Sequence, residues 1–314
     1  MGLRIVFMGT PDFASHMLTG LISSHHTVVG VVTVADKPAG RGKQLRESAV
    51  KLRAKEFGIP VLQPNSLKEE SFLTELGSFN ADIFVVVAFR MLPALVWRMP
   101  PKGTINLHAS LLPSYRGAAP INWAIINGET KTGLTTFYIN DAIDCGAILK
   151  QYELEIIPGL TAGELHDRML APGVHLIIET LEAIESNNAQ SIPQDINLSE
   201  KNAPKLTKIN TQIDFSKTGV EITNLVNGLN PYPSAYCLLK HNSSHRIFNF
   251  KIFSGFFVAE NQPNQWLSSC KDGLLFPCMD GYFCVQNLQM EGKRKMNYKE
   301  FLAGNDIQQY SLII

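Results

Sequence analysis

The stretch Leu3-Arg4-Ile5-Val6-Phe7-Met8-Gly9-Thr10-Pro11-Asp12-Phe13 is an apolar run of strand length, followed by a turn and the start of a helix pattern. Similar apolar runs recur in the first half of the chain, at residues 27–34, 83–88 and 104–108. Continuous runs of this length indicate parallel strands that are buried on both faces. Amphipathic helix patterns lie between them, at residues 13–23, 48–57 and 67–76. The repeating unit is therefore βαβ, which predicts a Rossmann-like, doubly wound α/β fold with a mostly parallel sheet.

The second half of the chain has a different pattern. From about residue 187 to 208 the periodicity gives way to Asn, Gln, Ser, Pro and Lys, a composition typical of a linker. One helix pattern follows, and then short strand-like runs at residues 235–240, 246–253, 273–277 and 282–288. Short strands separated by turns favour a small, OB-like β-barrel. Because 314 residues exceed the usual size of one domain, we expect an N-terminal domain at 1–189, a linker at 190–207 and a C-terminal barrel at 208–314.

The composition limits the class of protein. The 28 basic and 28 acidic residues cancel, so the net charge indicates no partner. The first residues lack the features of a signal peptide, and no stretch reaches the roughly 18 to 20 apolar residues of a membrane helix. The five cysteines include no Cys-x-x-Cys pair, which disfavours a disulfide framework and a zinc knuckle. We expect a soluble protein of the reducing cytoplasm.

Two glycine-containing turns can be compared with nucleotide-binding motifs. The turn at Gly9 occupies the place of a Gly-x-Gly-x-x-Gly motif but carries a single glycine, which disfavours a dinucleotide cofactor. The run Gly40-Arg41-Gly42-Lys43 resembles a phosphate loop, but Lys37 stands where the Walker A motif needs its first glycine, and Gln44 follows the lysine. These departures exclude triphosphate binding by a Walker A loop.

Residues 37–55 form a strongly basic segment. They carry seven basic side chains and one acid, a local charge of +6. A basic loop that leads into a basic helix can neutralise phosphates, as nucleic-acid binding requires. A solvated helix face beside a loop explains the same charges, so both interpretations stay open on charge alone. Residues 190–314 carry twelve basic and ten acidic residues, and their charge does not indicate RNA binding.

Asn106 and His108 are two positions apart in one predicted strand, so their side chains project from the same face. Open α/β sheets bind ligands at the carboxyl ends of their parallel strands. A lone histidine in a strand is often a satisfied core residue. The irregular loop Ser110-Leu111-Leu112-Pro113, which follows directly, favours a functional site instead.

A second irregular segment, at residues 140–146, offers the carboxylates Asp141 and Asp144. It follows a strand pattern at residues 134–139. Aspartate in a turn usually serves the turn itself. The segment alone therefore does not distinguish a turn from a site.

Three motifs occur together in this chain: Asn106-Leu107-His108-Ala109-Ser110-Leu111-Leu112-Pro113, then Tyr115-Arg116-Gly117-Ala118-Ala119-Pro120, and finally Asp144-Cys145-Gly146. With them the chain resembles the formyltransferases that use 10-formyltetrahydrofolate, most closely those that act on methionyl-tRNA. The resemblance extends to residues 7–14, 37–43 and 230–235, so it spans nearly the whole chain. Two positions depart from the family pattern: Cys145 stands where Thr is usual, and residues 88–93 are a variant of a commoner Ala-Tyr-Gly-type segment.

The resemblance implies a role for each candidate residue. It implies that the catalytic residues are Asn106, His108 and Asp144. It implies that tetrahydrofolate binds at two segments, formed by Ser110, Leu111, Leu112 and Pro113 and by Phe89, Arg90, Met91 and Leu92. It implies that a basic loop enters the acceptor end of initiator tRNA, with Arg41, Lys37 and Lys43 as its tRNA-binding residues. The C-terminal barrel then holds the flank of the tRNA, and such surfaces suit a single-stranded acceptor end.

These residue types suit acyl transfer, in which an amine attacks a carbonyl carbon through a tetrahedral oxyanion. The Asn106 amide can donate to that oxyanion. His108 can assist the oxyanion or protonate the leaving folate nitrogen. Asp144 can orient the histidine and accept the proton of the amine, directly or through water. The scheme needs no covalent enzyme intermediate, and because the residues lack metal-ligand spacing we expect no metal.

The catalytic motif indicates the reaction better than the acceptor. Formyltransferases that act on glycinamide ribonucleotide or on amino-sugar nucleotides share the same polar residues. The loop at residues 37–43 and a C-terminal domain of about a hundred residues favour methionyl-initiator tRNA as the acceptor. A non-catalytic folate-binding or RNA-binding protein is disfavoured because all three polar residues are present.

Overall fold

The computed structural model describes residues 2–39, 44–195, 201–260, 263 and 266–313. Up to residue 155 its elements are β1 (Arg4–Gly9), α1 (Asp12–Ile22), β2 (Thr27–Val32), β3 (Lys37–Ala39), β4 (Gln44–Arg46), α2 (Ala49–Glu56), β5 (Val61–Leu62), α3 (Glu70–Ser78), β6 (Ile83–Val87), α4 (Ala94–Trp97), β7 (Thr104–His108), β8 (Arg116–Gly117), α5 (Pro120–Ile126), β9 (Lys131–Tyr138) and β10 (Ile148–Glu155).

The later elements are α6 (Ala162–Glu185), β11 (Asn202–Ala203), α7 (Gly219–Gly228), β12 (Ala235–His241), β13 (Ile247–Ala259), β14 (Ser268–Cys270), β15 (Gly273–Cys278), β16 (Gly281–Met290), β17 (Met296–Asn297), α8 (Tyr298–Leu302), a 3-10 helix (Ile307–Gln309) and β18 (Tyr310–Leu312). No helix in the described part of the chain has the length and apolar character needed to cross a membrane.

The N-terminal sheet has the strand order β10-β9-β7-β6-β1-β2-β5. Neighbouring strands from β7 to β5 are parallel, and β9 is antiparallel to β7. The chain progresses from β1 outward to β2 and β5, and then returns to the other side of β1 to add β6 and β7. This is the predicted doubly wound topology, so the predicted fold class is confirmed.

Both faces of this sheet are covered, as continuous apolar strands require. Every residue of β6 is buried, and so are the five residues of β1 after Arg4. On one face, alternate residues of β1 and β6 pack against α3 and α4, in a cluster that includes Val6, Met8, Phe72, Leu76, Phe84, Val86 and Val96. On the other face, Gly173 of α6 lies close to Met17 of α1 and Leu107 of β7.

The C-terminal sheet is antiparallel, with the order β14-β15-β16-β13-β12-β18 and with β17 paired to β16. Its core contains α7, α8 and four fully buried aromatic rings, Phe250, Phe276, Phe283 and Phe301. The expectation of a small β domain after the α/β domain is therefore confirmed.

The chain forms two compact units, each assembled from separate stretches of sequence. The first comprises residues 1–120, 132–154 and 166–202, and the second comprises 121–131, 155–165 and 203–314. Two stretches that precede residue 166 thus fold with the C-terminal sheet. Within the first unit, Ile192 pairs with Ile148 of β10 through two backbone hydrogen bonds of 2.8 Å. The contiguous boundaries at 189 and 208 stay a prediction.

Helix α7 begins with a reciprocal cap. The Thr218 hydroxyl accepts the Glu221 N–H at 3.2 Å, and the Glu221 carboxylate accepts the Thr218 N–H at 3.0 Å. The cap satisfies backbone donors that the first helical turn leaves unpaired.

We expect Thr218→Ala to lower the free energy of unfolding by about 1 kcal/mol, because an unpaired donor replaces the cap. The matched control is Thr223→Ala, which removes only a hydroxyl bonded to the Gly219 carbonyl at 2.7 Å within the same helix. That variant is expected to change the free energy by less than about 0.5 kcal/mol. Urea unfolding of the full chain measures both, and equal losses would contradict a role for the cap.

Candidate active site

Strand β7 presents the two polar residues of the first motif. His108 is its last residue, is 7% exposed, and pairs with Thr135 of β9. Asn106 lies between Val86 of β6 and Phe137 of β9 and is half-buried. The two side chains share a face because they are two residues apart. Within the described part of the chain the Asn106 amide has no hydrogen-bond partner, so it is available to a ligand.

The His108 ring is held through one nitrogen. Its Nε2–H donates to the Tyr115 carbonyl at 2.8 Å, and because a carbonyl can only accept, this nitrogen carries a hydrogen. The other nitrogen, Nδ1, lies 3.8 Å from Asp144 Oδ2. Nδ1 is therefore the nitrogen that can exchange a proton with a substrate, and a carboxylate lies beside it.

The strand that precedes Asp144 ends far from His108. Strand β9 ends beside the amino end of β7, where the Ile139 N–H donates to the Thr104 carbonyl at 2.8 Å. His108 is four residues further along β7, about 13 Å away at the usual rise of a strand. Since Asp144 Oδ2 is nevertheless 3.8 Å from His108 Nδ1, the turn at 140–146 returns along β7 toward its carboxyl end.

Several donors hold Asp144 in this position. Its carboxylate accepts the Gly117 N–H at 3.0 Å. Its carbonyl accepts the Gln194 amide at 3.0 Å and Arg116 Nε at 3.2 Å. Arg116 also donates to Gln194 Oε1 at 2.6 Å, which joins the two donors. Asp144 has φ +52°, a left-handed conformation that costs a non-glycine residue energy, and these contacts stabilise it.

The rest of the Asp-Cys-Gly motif serves the turn. A Cβ atom at position 146 would lie 1.5 Å from the Tyr138 carbonyl oxygen, so only glycine fits there. The Cys145 thiol, at the position where the family usually has Thr, donates to the Ile143 carbonyl at 3.1 Å. Its side chain therefore contacts the turn itself.

Side chains of β9 and β10 hold the Ser110–Pro113 loop through hydrogen bonds to its backbone. The Thr135 hydroxyl donates to the Ser110 carbonyl at 2.7 Å and accepts the Leu112 N–H at 3.1 Å. Gln151 donates to the Leu112 carbonyl at 2.9 Å. Ser110 and Leu112 are buried, and the Ser110 hydroxyl donates to the Ser114 carbonyl at 2.6 Å. These two side chains shape the loop, whereas Leu111 and Pro113 are partly exposed.

The second predicted folate segment follows β6, the parallel neighbour of β7, so both segments leave the sheet at the same edge. Arg90 donates to the Pro64 and Asn65 carbonyls at 2.6 and 3.1 Å. Leu92 is buried in the sheet core, whereas Met91 is 75% exposed. Phe89 is half-buried. Met91 and Phe89 are thus the side chains of this segment that offer apolar surface at the edge.

The basic segment is only partly described. Arg41 and Lys43 lie outside the described residues, and of Lys37 only the backbone is described, in β3. In α2, Lys51 forms ion pairs with Asp36 and with Glu47, the latter at 2.9 Å. Hydrogen bonds to these carboxylates raise the pKa of Lys51.

The other two bases of α2 are also paired: Lys55 contacts Glu47, and Arg53 contacts Glu56 at 2.7 Å. The count over residues 37–55 omits Asp36 and Glu56, which lie just outside it. The inference of a basic helix is therefore corrected, because acidic neighbours pair with each of its three bases. The bases of the segment left as candidates for phosphate binding are those of the loop and Arg46 at the end of β4, whose side chain is exposed.

One group of metal-ligating side chains occurs among the described residues, formed by His25, His26 and Glu185. His25 Nε2 lies 2.8 Å from the Glu185 carboxylate. His26 Nδ1 accepts the Leu3 N–H at 3.1 Å, and burial lowers the pKa of His26. This group includes none of the candidate catalytic residues.

The structure adds residues to the site that the sequence did not indicate. Gln194 lies in the segment interpreted as a linker, and its local composition carries no signal of this role. Thr135 could have been noticed, since it is a polar residue within a buried apolar strand. Tyr115, with φ +61°, contributes its carbonyl, which no pattern of side chains reveals.

We expect Gln194→Ala to lower kcat for the reaction of this site by about 10- to 100-fold, because a small displacement of a catalytic group has effects of this size. The substrate KM values should change little, since Gln194 contacts the turn and not the candidate binding segments. Gln190→Ala, an exposed residue of the same segment, is the matched control. If both variants keep full kcat, Gln194 does not position Asp144.

Two family models match the chain: Formyl transferase over residues 3–181, and Formyl transferase, C-terminal domain, over residues 205–306. Among curated proteins, the methionyl-tRNA formyltransferase of Flavobacterium johnsoniae is 49% identical over 304 residues, with 96% of each chain covered. The methionyl-tRNA formyltransferase of Flavobacterium psychrophilum is 46% identical over 314 residues, with 99% of each chain covered.

Solved structures share the fold at lower identity. The sugar 3N-formyl transferase WlaRD, crystallised in the presence of dTDP and 5-N-formyl-THF, has a TM-score of 0.65 at 18% identity, covering 94% of this chain and 100% of its own. HypX from Aquifex aeolicus, in complex with tetrahydrofolic acid, has a TM-score of 0.65 at 15% identity, covering 96% of this chain and 47% of its own. The family match over more than half of the chain confirms the resemblance: this chain belongs to the formyltransferase family.

Proposed function

We propose that this chain transfers the formyl group of 10-formyltetrahydrofolate to the α-amino group of initiator methionyl-tRNA, giving N-formylmethionyl-tRNA for translation initiation. One observation supports the acceptor most strongly: relatives named methionyl-tRNA formyltransferase align with 96% or more of this chain at 46% to 49% identity. The arrangement of Asn106, His108 and Asp144 supports the chemistry.

Asn106 provides the donor for the developing oxyanion. Its amide projects from β7 on the face that it shares with His108, and it has no hydrogen-bond partner within the described chain. A strand in the middle of a sheet holds such a donor in a fixed position. A preorganised donor of this kind contributes about 3 to 4 kcal/mol to transition-state stabilisation.

His108 and Asp144 provide the route for the proton. The attacking amine must lose a proton, and the folate nitrogen must gain one as the carbon–nitrogen bond breaks. His108 Nδ1 is the ring nitrogen that the fold leaves for this purpose, because Nε2–H is bonded to Tyr115. At 3.8 Å, Asp144 is close enough to stabilise a positive ring and to accept the amine proton directly or through water.

The donor folate is placed at the edge of the sheet where β6 and β7 end. Leu111 and Pro113 from one segment, and Phe89 and Met91 from the other, offer partly exposed apolar surface there. An apolar surface with a few fixed polar groups is typical of sites for flat, drug-sized ligands. The backbone of both segments then holds the polar edge of the pterin.

The basic loop with Lys37, Arg41 and Lys43 contacts the acceptor end of the tRNA. Since the bases of α2 are paired with acids, the charges of this segment that can serve phosphates are those of the loop and of the exposed Arg46. The C-terminal antiparallel sheet supports the flank of the tRNA.

We place the reaction in the cytoplasm, where translation initiation occurs, and the five free cysteines accord with its reducing conditions.

A second candidate is a formyltransferase for an amino-sugar nucleotide or for glycinamide ribonucleotide. The likeness to WlaRD favours it only through a shared fold, at 18% identity. An acceptor competition assay separates the candidates, with formyl donor limiting and the three amines present together. Formylation of methionyl-tRNA is the expected result, and preferential formylation of either small amine would overturn the proposed acceptor.

We expect His108→Ala to lower kcat/KM for formyl transfer by about 10²- to 10⁴-fold, the usual range for an acid–base group. The matched control is His175→Ala, which removes an exposed histidine of α6 that pairs with Glu179 and lies outside the site. Calorimetry checks that both variants stay folded. A folded His108→Ala enzyme with at least a third of the normal rate would exclude His108 from the chemistry.

We expect Arg41→Ala to raise the KM for methionyl-tRNA and to reduce its dependence on salt, because one phosphate contact is lost. The KM for the folate should stay the same. Lys68→Ala removes an exposed base outside the loop and serves as the charge-matched control. Equal changes in both substrate KM values, or equal effects of the two variants, would show that the loop does not recognise the tRNA.

A further inference from the structure

Two cysteines of the C-terminal unit have their sulfur atoms close together. Cys270 ends β14, Cys284 lies within β16, and their Sγ atoms are 3.9 Å apart. Neither belongs to the candidate active site. A disulfide bond is about 2.05 Å long, so the sulfurs must move about 2 Å closer to join. Because β15 lies between the two strands, this movement includes the backbone of the short edge strand β14.

The sulfurs approach each other across a strand that lacks a side chain at this place. In the sheet order β15 lies between β14 and β16, and Cys270 pairs with Gly273 of β15. A Cβ atom at Gly273 would lie 2.6 Å from Cys284 Sγ. Any other residue at position 273 would occupy the space through which the two sulfurs meet.

The two thiols differ in their surroundings. Cys270 is partly exposed, and its sulfur accepts the Asp272 N–H at 3.4 Å. Cys284 is fully buried, and burial, with a smaller contribution from Cys270, raises its pKa to about 12. An oxidant from solution therefore meets Cys270 first, while burial keeps Cys284 from direct oxidation. The Cys284 sulfur acts through its proximity to Cys270.

We propose that Cys270 and Cys284 form a reversible intramolecular disulfide when the protein encounters a hydroperoxide, with Cys270 as the attacked thiol and Cys284 as the resolving thiol. The bond would tie the short edge strand β14 to the interior strand β16. This inference rests on the C-terminal unit alone and is independent of the formyl-transfer reaction.

The two steps balance with hydrogen peroxide as the oxidant. In the first step the Cys270 thiolate attacks one peroxide oxygen, the O–O bond breaks, and Cys270 becomes a sulfenic acid while hydroxide leaves and takes up a proton as water. In the second step Cys284 sulfur attacks Cys270 sulfur, the S–O bond breaks, and the departing hydroxide takes the Cys284 thiol proton as a second water. Two thiols are oxidised and one peroxide is reduced. A small dithiol reductant reverses the bond.

The test treats the full-length protein with hydrogen peroxide, alkylates the remaining thiols, digests the chain and identifies linked peptides by mass spectrometry. The expected result is one intramolecular link between the peptides of Cys270 and Cys284, which disappears after treatment with dithiothreitol. A sulfenic acid at Cys270 that never becomes linked, a link between two molecules, or a Cys270 that stays reduced would each overturn the proposal.

Two variants sharpen the test. In Cys284→Ser the link should be lost, and a probe for sulfenic acids should label Cys270 at least several-fold more than in the unaltered protein. Cys278→Ser, which replaces another buried cysteine of the same sheet, is the matched control and should still form the link. Equal labelling of Cys270 in the unaltered protein and in Cys284→Ser would show that Cys284 does not act as the resolving thiol.

Discussion

The short backbone segment from Tyr115 to Gly117 holds both members of the candidate proton-transfer pair. The Tyr115 carbonyl accepts His108 Nε2–H, and the Gly117 N–H donates to the Asp144 carboxylate. Two groups from different parts of the sheet are thereby fixed relative to one backbone segment. Because the separation of His108 and Asp144 depends on this segment, the geometry of the site is set by main-chain contacts more than by the two side chains themselves. Arg116, between them, extends the arrangement to Gln194 and to the Asp144 carbonyl.

Much of the fold could be predicted from the sequence because the strands of a covered parallel sheet are continuously apolar. The runs that contain β1, β2, β6 and β7 have this property, and the structure places all four in one parallel ladder. Asn106 and His108 lie on the same face because successive side chains of a strand point to opposite faces. The sequence does not reveal that residues 121–131 and 155–165 fold as part of the C-terminal unit. Local periodicity identifies a helix or a strand, but it does not say which core buries the element.

The site was predictable in its residue types and less so in its geometry. A motif indicates that Asp144 belongs near His108, but it does not reveal that β9 ends at the opposite end of β7 and that the turn must return. Nor does it indicate Gln194, which acts through its amide from a segment without periodicity. The charge count over residues 37–55 also missed the ion pairs of α2. Two of the acids that pair with its bases, Asp36 and Glu56, lie just outside the counted segment. Contacts between residues distant in sequence decide these features.

The proposed role of Asp144 is tested most directly by Asp144→Asn in a single-turnover measurement of formyl transfer, with enzyme in excess over methionyl-tRNA and with saturating 10-formyltetrahydrofolate. Asparagine keeps an oxygen that can accept the Gly117 N–H, so the variant removes the negative charge and the proton acceptor with little change in shape. The predicted result is a rate of the chemical step about 10²- to 10⁴-fold lower, with unchanged binding of both substrates. An unchanged single-turnover rate would contradict the assignment of Asp144 and His108 as the pair that moves the proton.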